Sequence, residues 1–197
     1  MTKSQEKAVF LKAEILRKSL HLLIALVPFL ASLDLSHTVL LLMGGVFFYF
    51  SAESLRFLGF SLPLISGITQ AAIRKRETGC FALGPVTLGL GALLALLLFP
   101  PQAAAAAIYA MAFGDSASTL IGRFLGRLRP AFLFGKSVEG IFACFAAAAM
   151  CGYLVFGDLK PALAIGFVSL IVDIFPLKDF DNLLMPLAAG LAAMVFS

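Results

Sequence analysis

The sequence has no tryptophan, two histidines and three cysteines, and charged residues make up only 13% of its 197 residues. Cys80, Cys144 and Cys151 lie in or beside apolar segments without the spacing of metal ligands, so we expect neither a disulfide framework nor a zinc site. The low charge content also argues against a soluble domain. Apolar residues make up 61% of the chain, more than the core of a soluble chain of this length needs.

Long apolar runs dominate the chain, whose mean hydropathy is +1.01. A helix needs about 20 apolar residues to span the hydrocarbon core of a bilayer, and seven runs approach that length. They predict an all-α, polytopic transmembrane helix bundle of about seven spans, in a single integral membrane domain, 1–197. The last two runs are short, so one of these helices could be tilted, broken or re-entrant. The runs are 19–33, 38–55, 79–99, 101–122, 138–156, 161–175 and 183–197.

Basic residues are distributed unevenly between the loops. If the N-terminus is cytoplasmic and seven helices alternate, 14 of the 15 Lys and Arg residues fall on the cytoplasmic side and Lys160 alone falls outside. This positive-inside bias predicts a cytoplasmic N-terminal segment, 1–18, in an integral membrane protein, of the cytoplasmic membrane if the source is prokaryotic. It also explains most of the net charge of +4, so no nucleic-acid partner is expected.

The segment 57–73 is apolar enough to be another span, but two glycines and a proline interrupt it. A span here would spoil the charge bias, so we predict a cytoplasmic interfacial loop over 57–78. Its basic cluster, 74–76, either meets anionic lipid headgroups or only sets the topology.

Ionisable residues are costly in a membrane helix, about 2.5–3.5 kcal/mol each at its centre on insertion scales, and therefore mark functional sites. In the predicted topology the acidic residues crowd the cytoplasmic side, and only Asp34 and Asp158 lie outside. A site built from the crowded acids would face water-soluble substrates from the cytosol.

The sharpest local pattern lies in the cytoplasmic half of the fourth run, where residues at i, i+3, i+4 and i+7 share one small, polar and acidic helical face. A carboxylate here suits Mg²⁺ bound to phosphates, because Mg²⁺ takes one or two carboxylates plus phosphate oxygens. The alternative for Asp115 is a structural salt bridge to a residue such as Arg123, and for the glycines it is close helix packing. The residues of this motif are Gly114, Asp115, Ser118, Thr119, Gly122 and Gly126.

A second polar segment, 135–140, reads GKSVEG and precedes the fifth run. It is not a P-loop, because Pro130 occupies the position of the first glycine and no strand precedes it. Lys136 and a helix N-terminus capped by Ser137 would both favour binding of an anion such as phosphate. In the alternative interpretation, Lys136 only sets the membrane topology and Ser137 only caps the helix. Glu139 is poorly placed for direct phosphate contact, so we expect it to bind a bridging metal ion or to transfer a proton.

Polar residues also cluster at three other helix ends. Four residues before the first span share one helical face and are either substrate ligands or interfacial residues: Glu14, Arg17, Lys18 and His21. Glu53 and Arg56 form an i, i+3 acid–base pair at the end of the second run. Such a pair is more typical of a structural ion pair than of a catalytic one. The junction of the last two runs, broken by Pro176, holds more polar residues than capping needs and is a second candidate metal site: Asp173, Asp179, Asp181 and Asn182.

In chain order the motifs are E-x-x-R-K-x-x-H at 14–21, E-x-x-R at 53–56, G-D-x-x-A/S-x-x-x-G-R at 114–123, G-K-S-x-E-G at 135–140 and D-N-L-x-x-P-L at 181–187. The set resembles the CTP-dependent lipid-alcohol kinase family, which includes dolichol, phytol and fungal diacylglycerol kinases and is similar to the phosphatidate cytidylyltransferases. The resemblance covers nearly the whole chain. Its specificity lies in the order of the motifs and in their placement on one membrane face.

The resemblance implies that the γ-phosphate of CTP is transferred to the hydroxyl of a membrane lipid, with Mg²⁺ or another divalent cation. It makes Asp115 the leading metal or catalytic carboxylate, Lys136 a phosphate contact, and Asp181 with Asn182 part of a nucleotide–metal site. Family members often have Glu where this chain has Asp173, which leaves open whether that residue is a further metal ligand.

The chemistry of the residues leaves other assignments open. The proton acceptor is either Asp115 or Glu139. A phosphatidate cytidylyltransferase would use the same site but attack the α-phosphorus and release pyrophosphate. A small transporter is a third alternative, because buried acids near kinked helices also mark ion paths. The expected nucleotide and substrate ligands are Glu14, Arg17, Lys18, His21, Glu53, Arg56, Gly114, Ser118, Gly122, Arg123 and Asn182.

Overall fold

Helices form most of the described structure. The computed structural model describes residues 14, 15, 17–60 and 81–196. All regular structure within these residues is helical, so the prediction of an all-α chain is confirmed. Most of the predicted loop 57–78 lies outside the described residues, as does Cys80.

Each of the seven apolar runs corresponds to one helix. The first, α1, is helical over 17–33 and contains a 3₁₀ turn at Leu23–Leu26. The others are α2 Leu35–Phe57, α3 Gly84–Leu98, α4 Pro101–Phe124, α5 Val138–Phe156, α6 Leu159–Ile174 and α7 Asp181–Phe196. Four of them are long and apolar enough to cross a membrane: α2, α4, α5, and α7 together with the 3₁₀ turn that precedes it.

Capping residues define several helix boundaries. The side chains of Asp34, Ser137 and Asp158 each accept a hydrogen bond from a backbone N–H in the first turn of α2, α5 and α6, respectively. The predicted cap at Ser137 is therefore confirmed. Gly157 ends α5 in the left-handed conformation, with φ 68°, that a glycine adopts without steric cost.

The central helix is α4, which contacts α1, α3, α5, α6 and α7. Its first half contains a run of alanines, 103–107, whose small side chains let the neighbouring helices approach closely. Ile108 and Met111 follow and are completely buried. The polar second half of α4 therefore begins in the middle of the bundle.

Helices α3 and α7 pack closely at two glycines. A Cβ atom at Gly91 would overlap the backbone carbonyl oxygen of Asn182 and lie 3.1 Å from Cγ of Pro186. A Cβ atom at Gly190 would overlap the ring of Phe99. The contact at Gly91 holds the first turn of α7, which carries polar residues, against α3.

We expect Gly91→Ala to lower the free energy of unfolding by about 1–3 kcal/mol, because the added methyl group overpacks the α3–α7 contact. The matched control is Gly44→Ala on α2, where a Cβ atom meets nothing within 4 Å. That control should be neutral, or stabilising by up to about 1 kcal/mol through helix propensity. Thermal unfolding in detergent measures both variants. Equal melting temperatures for Gly91→Ala and Gly44→Ala would contradict the close packing at Gly91.

Candidate functional site

A π-helical turn, Ala110–Gly114, interrupts α4 immediately before Asp115. Such turns are rare and are frequently found at functional sites. The turn changes the helical register, so it alters the direction of the side chains that follow. Asp115 lies at the start of the last α-helical part of α4, which ends at Phe124.

Asp115 forms a buried ion pair with Lys18 of α1. Lys18 Nζ donates a hydrogen bond to Asp115 Oδ2, and the two side chains are 4% and 12% exposed. Nε2 of His21 lies 3.4 Å from the same oxygen and 3.4 Å from the carbonyl oxygen of Met111 in the π-helical turn. Lys18 and His21 are three residues apart on one face of α1, so a single carboxylate of α4 contacts both.

A second ion pair joins α1 to the end of α4. Glu14 is buried, pairs with Arg17 on its own helix, and lies 3.1 Å from Nη2 of Arg123. Arg123 was one alternative partner for Asp115 in the sequence analysis. In the structure, Arg123 pairs with Glu14, while Asp115 pairs with Lys18.

Asp173, near the end of α6, is completely buried and accepts two hydrogen bonds. Ser118 Oγ of α4 donates to its Oδ2 at 2.6 Å, and Lys136 Nζ donates to its Oδ1. This arrangement connects α4, α6 and the loop before α5. Each oxygen of Asp173 therefore accepts one hydrogen bond, from Ser118 or from Lys136.

The glycines of the central motif lie where α4 and α5 approach each other. A Cβ atom at Gly140 would lie 3.0 Å from Cα of Gly122 and 2.8 Å from the carbonyl oxygen of Ser118. A Cβ atom at Gly114 would lie 3.3 Å from Sγ of Cys144. Gly114 and Gly122 therefore serve close helix packing, which places the N-terminus of α5 beside the polar face of α4.

Glu139 holds the loop between α4 and α5. Its Oε1 accepts hydrogen bonds from the backbone N–H groups of Arg127, at 2.9 Å, and Leu128, at 3.2 Å. The loop is also fixed by Arg129, which donates to the carbonyl oxygens of Gly135 at 2.8 Å and Gly122 at 2.6 Å. Glu139 lines neither the apolar cavity between α1, α2 and α3 nor the polar cavity between α4, the loop before α5 and the α6–α7 junction.

Glu53 and Arg56 lie at the C-terminal end of α2. Glu53 is completely buried and accepts two hydrogen bonds from Arg56, at 2.6 and 2.7 Å. It also accepts a hydrogen bond of 2.8 Å from the backbone N–H of Ala82, just before α3. The pair therefore fixes the start of α3 against α2, and neither residue lines the cavities.

Asp181 and Asn182 begin α7. Asn182 donates weakly to the carbonyl oxygen of Gly84, at 3.4 Å, and to Oγ1 of Thr87, at 3.3 Å, both in α3. Oδ1 of Asp181 accepts a hydrogen bond from the backbone N–H of Asn182 at 2.9 Å. No described basic side chain lies within ion-pairing distance of Asp181. Its carboxylate can therefore accept further cationic or donor partners.

An apolar cavity of about 400 Å³ lies between α1, α2 and α3. Its apolar lining consists of aliphatic side chains: Leu20, Ile24, Leu41, Leu42, Val46 and Leu88. Its polar end is lined by charged and polar groups: Arg17, Lys18, His21, Asp115, Asp179 and Asp181. Leu20 and Leu41 are exposed on the outer surface of the bundle, so the cavity opens sideways between the helices.

A polar cavity of about 390 Å³ lies between α4, the loop before α5 and the α6–α7 junction. Four basic side chains line it: Arg123, Arg129, Lys136 and Lys178. Ser137 at the N-terminus of α5 also lines it, so the positive end of that helix adds to the basic character of the cavity. Of the described non-glycine residues, Phe134 and Lys178 alone have positive φ, and both line this cavity.

Asp115 and Asp181 line both cavities and mark their junction. Within the described part of the chain no three His, Cys, Asp or Glu residues form a metal-binding cluster. Mg²⁺ does not need one, because it is usually bound by one or two carboxylates plus substrate phosphates. Asp181, which has no ion-pair partner among the described residues, together with Asp115 fits that set of ligands.

Sequence reasoning missed two basic residues of the polar cavity, Arg129 and Lys178. The positive-inside rule accounted for both as topological charge, so neither was considered as a ligand. Their proximity in sequence to Lys136 and Asp181, respectively, was the signal that could have identified them. Asp179 was assigned to the α6–α7 junction, and the structure adds that it lines the apolar cavity.

We expect Lys18→Met to lower the free energy of unfolding by about 3–5 kcal/mol, because it leaves the buried Asp115 carboxylate without its lysine. The double variant Lys18→Met/Asp115→Asn should recover much of this loss. The exposed Lys160 provides a control, and Lys160→Met should stay within about 0.5 kcal/mol of the wild type. Thermal unfolding in detergent gives all values; a double variant no more stable than Lys18→Met would contradict the pairing.

Comparison with known proteins identifies similarity without a function. A protein of Methanocaldococcus jannaschii, described as uncharacterized, is 26% identical to this chain over 181 residues, which cover 88% of each chain. No family model matches the sequence, and no solved structure matches it. The similarity thus extends over nearly the full length of both proteins.

Proposed function

We propose that this protein is a CTP- and Mg²⁺-dependent kinase that transfers the γ-phosphate to the hydroxyl of a membrane lipid alcohol. One observation carries the proposal: an apolar cavity and a basic cavity meet at two carboxylates, Asp115 and Asp181. A lipid in the first and a polyphosphate in the second would bring their reacting groups together at that junction. The choice of CTP rests on the resemblance of the five sequence motifs.

The charges around the two cavities favour a kinase over a cytidylyltransferase. Both basic side chains in the described lining of the apolar cavity already pair with carboxylates, Arg17 with Glu14 and Lys18 with Asp115, which disfavours an anionic head group such as that of phosphatidate. The polar cavity has four basic side chains against two carboxylates, which favours a polyphosphate. A neutral hydroxyl and a nucleoside triphosphate match this distribution.

In the proposed reaction the lipid hydroxyl oxygen attacks the γ-phosphorus. A bond forms between that oxygen and the phosphorus, the bond from the phosphorus to the β–γ bridging oxygen breaks, and CDP leaves. The hydroxyl proton passes to Asp115, which Lys18 and His21 hold in position. Phosphoryl transfer depends mainly on positioning and charge stabilisation, which a basic cavity and fixed carboxylates can provide.

The basic residues of the polar cavity bind and orient the phosphates. Lys136 is the leading phosphate contact, and Asp173 with Ser118 acts as a positioning pair that holds its side chain near the N-terminus of α5. Mg²⁺ bound by Asp181 together with phosphate oxygens would neutralise phosphate charge. Asn182 orients the first turn of α7 against α3.

The proposed topology has seven spans and a cytoplasmic N-terminus. It is supported by the positive-inside bias and by the common position of Lys18, Asp115, Lys136 and Asp181 at one end of the bundle. The site then faces the cytosol, from which the nucleotide enters the polar cavity, and the lipid enters the apolar cavity sideways from the bilayer.

The direct test uses purified protein in liposomes with Mg²⁺ and CTP labelled at either the α or the γ phosphate. The acceptors are a polyprenol, a diacylglycerol and phosphatidate. We expect label from the γ position to enter a lipid alcohol. Asp115→Asn should lower kcat by about 10²-fold or more, because it removes the proton acceptor.

The matched control is Asp158→Asn, the same chemical change at the N-terminus of α6, the opposite end of that helix from Asp173 and the site. Asparagine can still cap the helix there. Its kcat should equal that of the wild type. Label entering lipid from the α position would instead identify a cytidylyltransferase. Failure of transfer to every acceptor would contradict both enzymatic functions and favour a transporter.

A further inference from the structure

We propose that the side chains of Phe134 and Phe175 form a stacking surface for the nucleobase in the polar cavity. The inference rests on the proposed function, which supplies a nucleotide as the ligand of that cavity. It concerns the end of the nucleotide that is remote from the reacting phosphate, so the transfer chemistry depends on neither ring.

The two rings belong to the two chain segments that bound the polar cavity. Phe134 lies in the loop before α5, two residues before Lys136. Phe175 lies directly after α6, three residues before Lys178. All four residues line the cavity. Each ring thus lies near a lysine in the chain, which is the arrangement that a ligand with both an aromatic base and phosphates needs.

Both rings are exposed where lipid would not cover them. Phe134 is 60% exposed and Phe175 is 50% exposed. Other exposed phenylalanines, such as Phe47 and Phe167, lie within apolar helices, where lipid would cover them. Phe134 and Phe175 instead lie outside the α-helices, in a cavity lined by four basic side chains. An aromatic surface in a basic cavity suits a ligand that joins a flat ring to phosphates.

The backbone holds Phe134 in a conformation that a bulky residue rarely adopts. Its φ of 51° lies in the left-handed region. The loop maintains this conformation, because the backbone N–H of Phe134 donates to the carbonyl oxygen of Ala131 at 3.3 Å. The backbone N–H of Lys136 donates to the carbonyl oxygen of Leu133 at 2.9 Å. Strain of this kind clusters at ligand sites, where it positions a side chain before the ligand binds.

The two rings contact each other loosely. Their centroids are 6.5 Å apart and their planes are inclined by 30°. This separation is near the upper limit of the range of about 4.5–7 Å that is typical of aromatic pairs. Ring surface therefore stays available to a third aromatic group. Every nucleobase has a π-face, so stacking here would add affinity for nucleotides in general and would not select cytosine.

The test compares a ligand that has a base with one that lacks it. Calorimetric titration of the purified protein in detergent with Mg²⁺, and without a lipid acceptor, measures the Kd of CTP and of inorganic triphosphate. Phe134→Ala keeps a Cβ atom at this position and removes only the ring. It should raise the Kd of CTP about tenfold, or about 1.4 kcal/mol, and leave that of triphosphate within about twofold of the wild type.

Phe132 supplies the matched control, because it is 72% exposed in the same loop but is not part of the described lining of the polar cavity. Phe132→Ala should leave both Kd values within about twofold of the wild type. Phe134→Tyr, which retains an aromatic ring, should bind CTP as the wild type does. If Phe134→Ala fails to fold, Phe175→Ala should show the same selective loss.

Three results would overturn the inference: unchanged CTP binding in Phe134→Ala, an equal loss of CTP and triphosphate in that variant, or the same loss of CTP in Phe132→Ala. Selective loss of CTP binding, combined with no transfer of label from CTP to any lipid, would contradict the proposed kinase and leave the base site intact. Transfer of label with a KM for CTP that Phe134→Ala does not change would do the reverse.

Discussion

The buried ion pair between Lys18 and Asp115 is the interaction on which the site depends. Charges removed from water are tolerated only when they are paired and hydrogen-bonded, so this contact determines how α1 lies against α4. Much of α1 is otherwise exposed, with Leu23 and Phe29 each more than half exposed, and apolar contact alone specifies its rotation weakly. Asp115 lines both the apolar and the polar cavity, and Lys18 lines the apolar one.

The two cavities explain how substrates of opposite polarity could react at one membrane surface. Hydrocarbon requires an apolar groove open to lipid, and a polyphosphate requires basic side chains and helix N-termini open to water. Asp115 and Asp181 line both cavities, so the carboxylates lie where the reacting groups would meet. The kinase proposal follows from this juxtaposition.

Ion pairs hold several of the basic groups in place before any ligand binds. Glu14 pairs with Arg123, and Asp173 pairs with Lys136. An arriving polyphosphate would share or replace these acidic partners, so the side chains are oriented in advance at the cost of some affinity. Arg129 is instead held by the carbonyl oxygens of Gly122 and Gly135. These groups are uncharged, so they do not neutralise its positive charge.

The sequence by itself determined the helices and the polar face of α4, because apolar runs and the 3.6-residue period are local properties. It also singled out Lys18, Asp115 and Asp181 through their motifs. Only the tertiary structure decided the pairing: Lys18 meets Asp115 across 97 residues, and Ser118 meets Asp173 across 55. It also showed that Glu139 fixes a loop instead of lining a cavity. Such partners depend on how helices rotate and pack, and a single sequence does not encode that rotation in any local pattern.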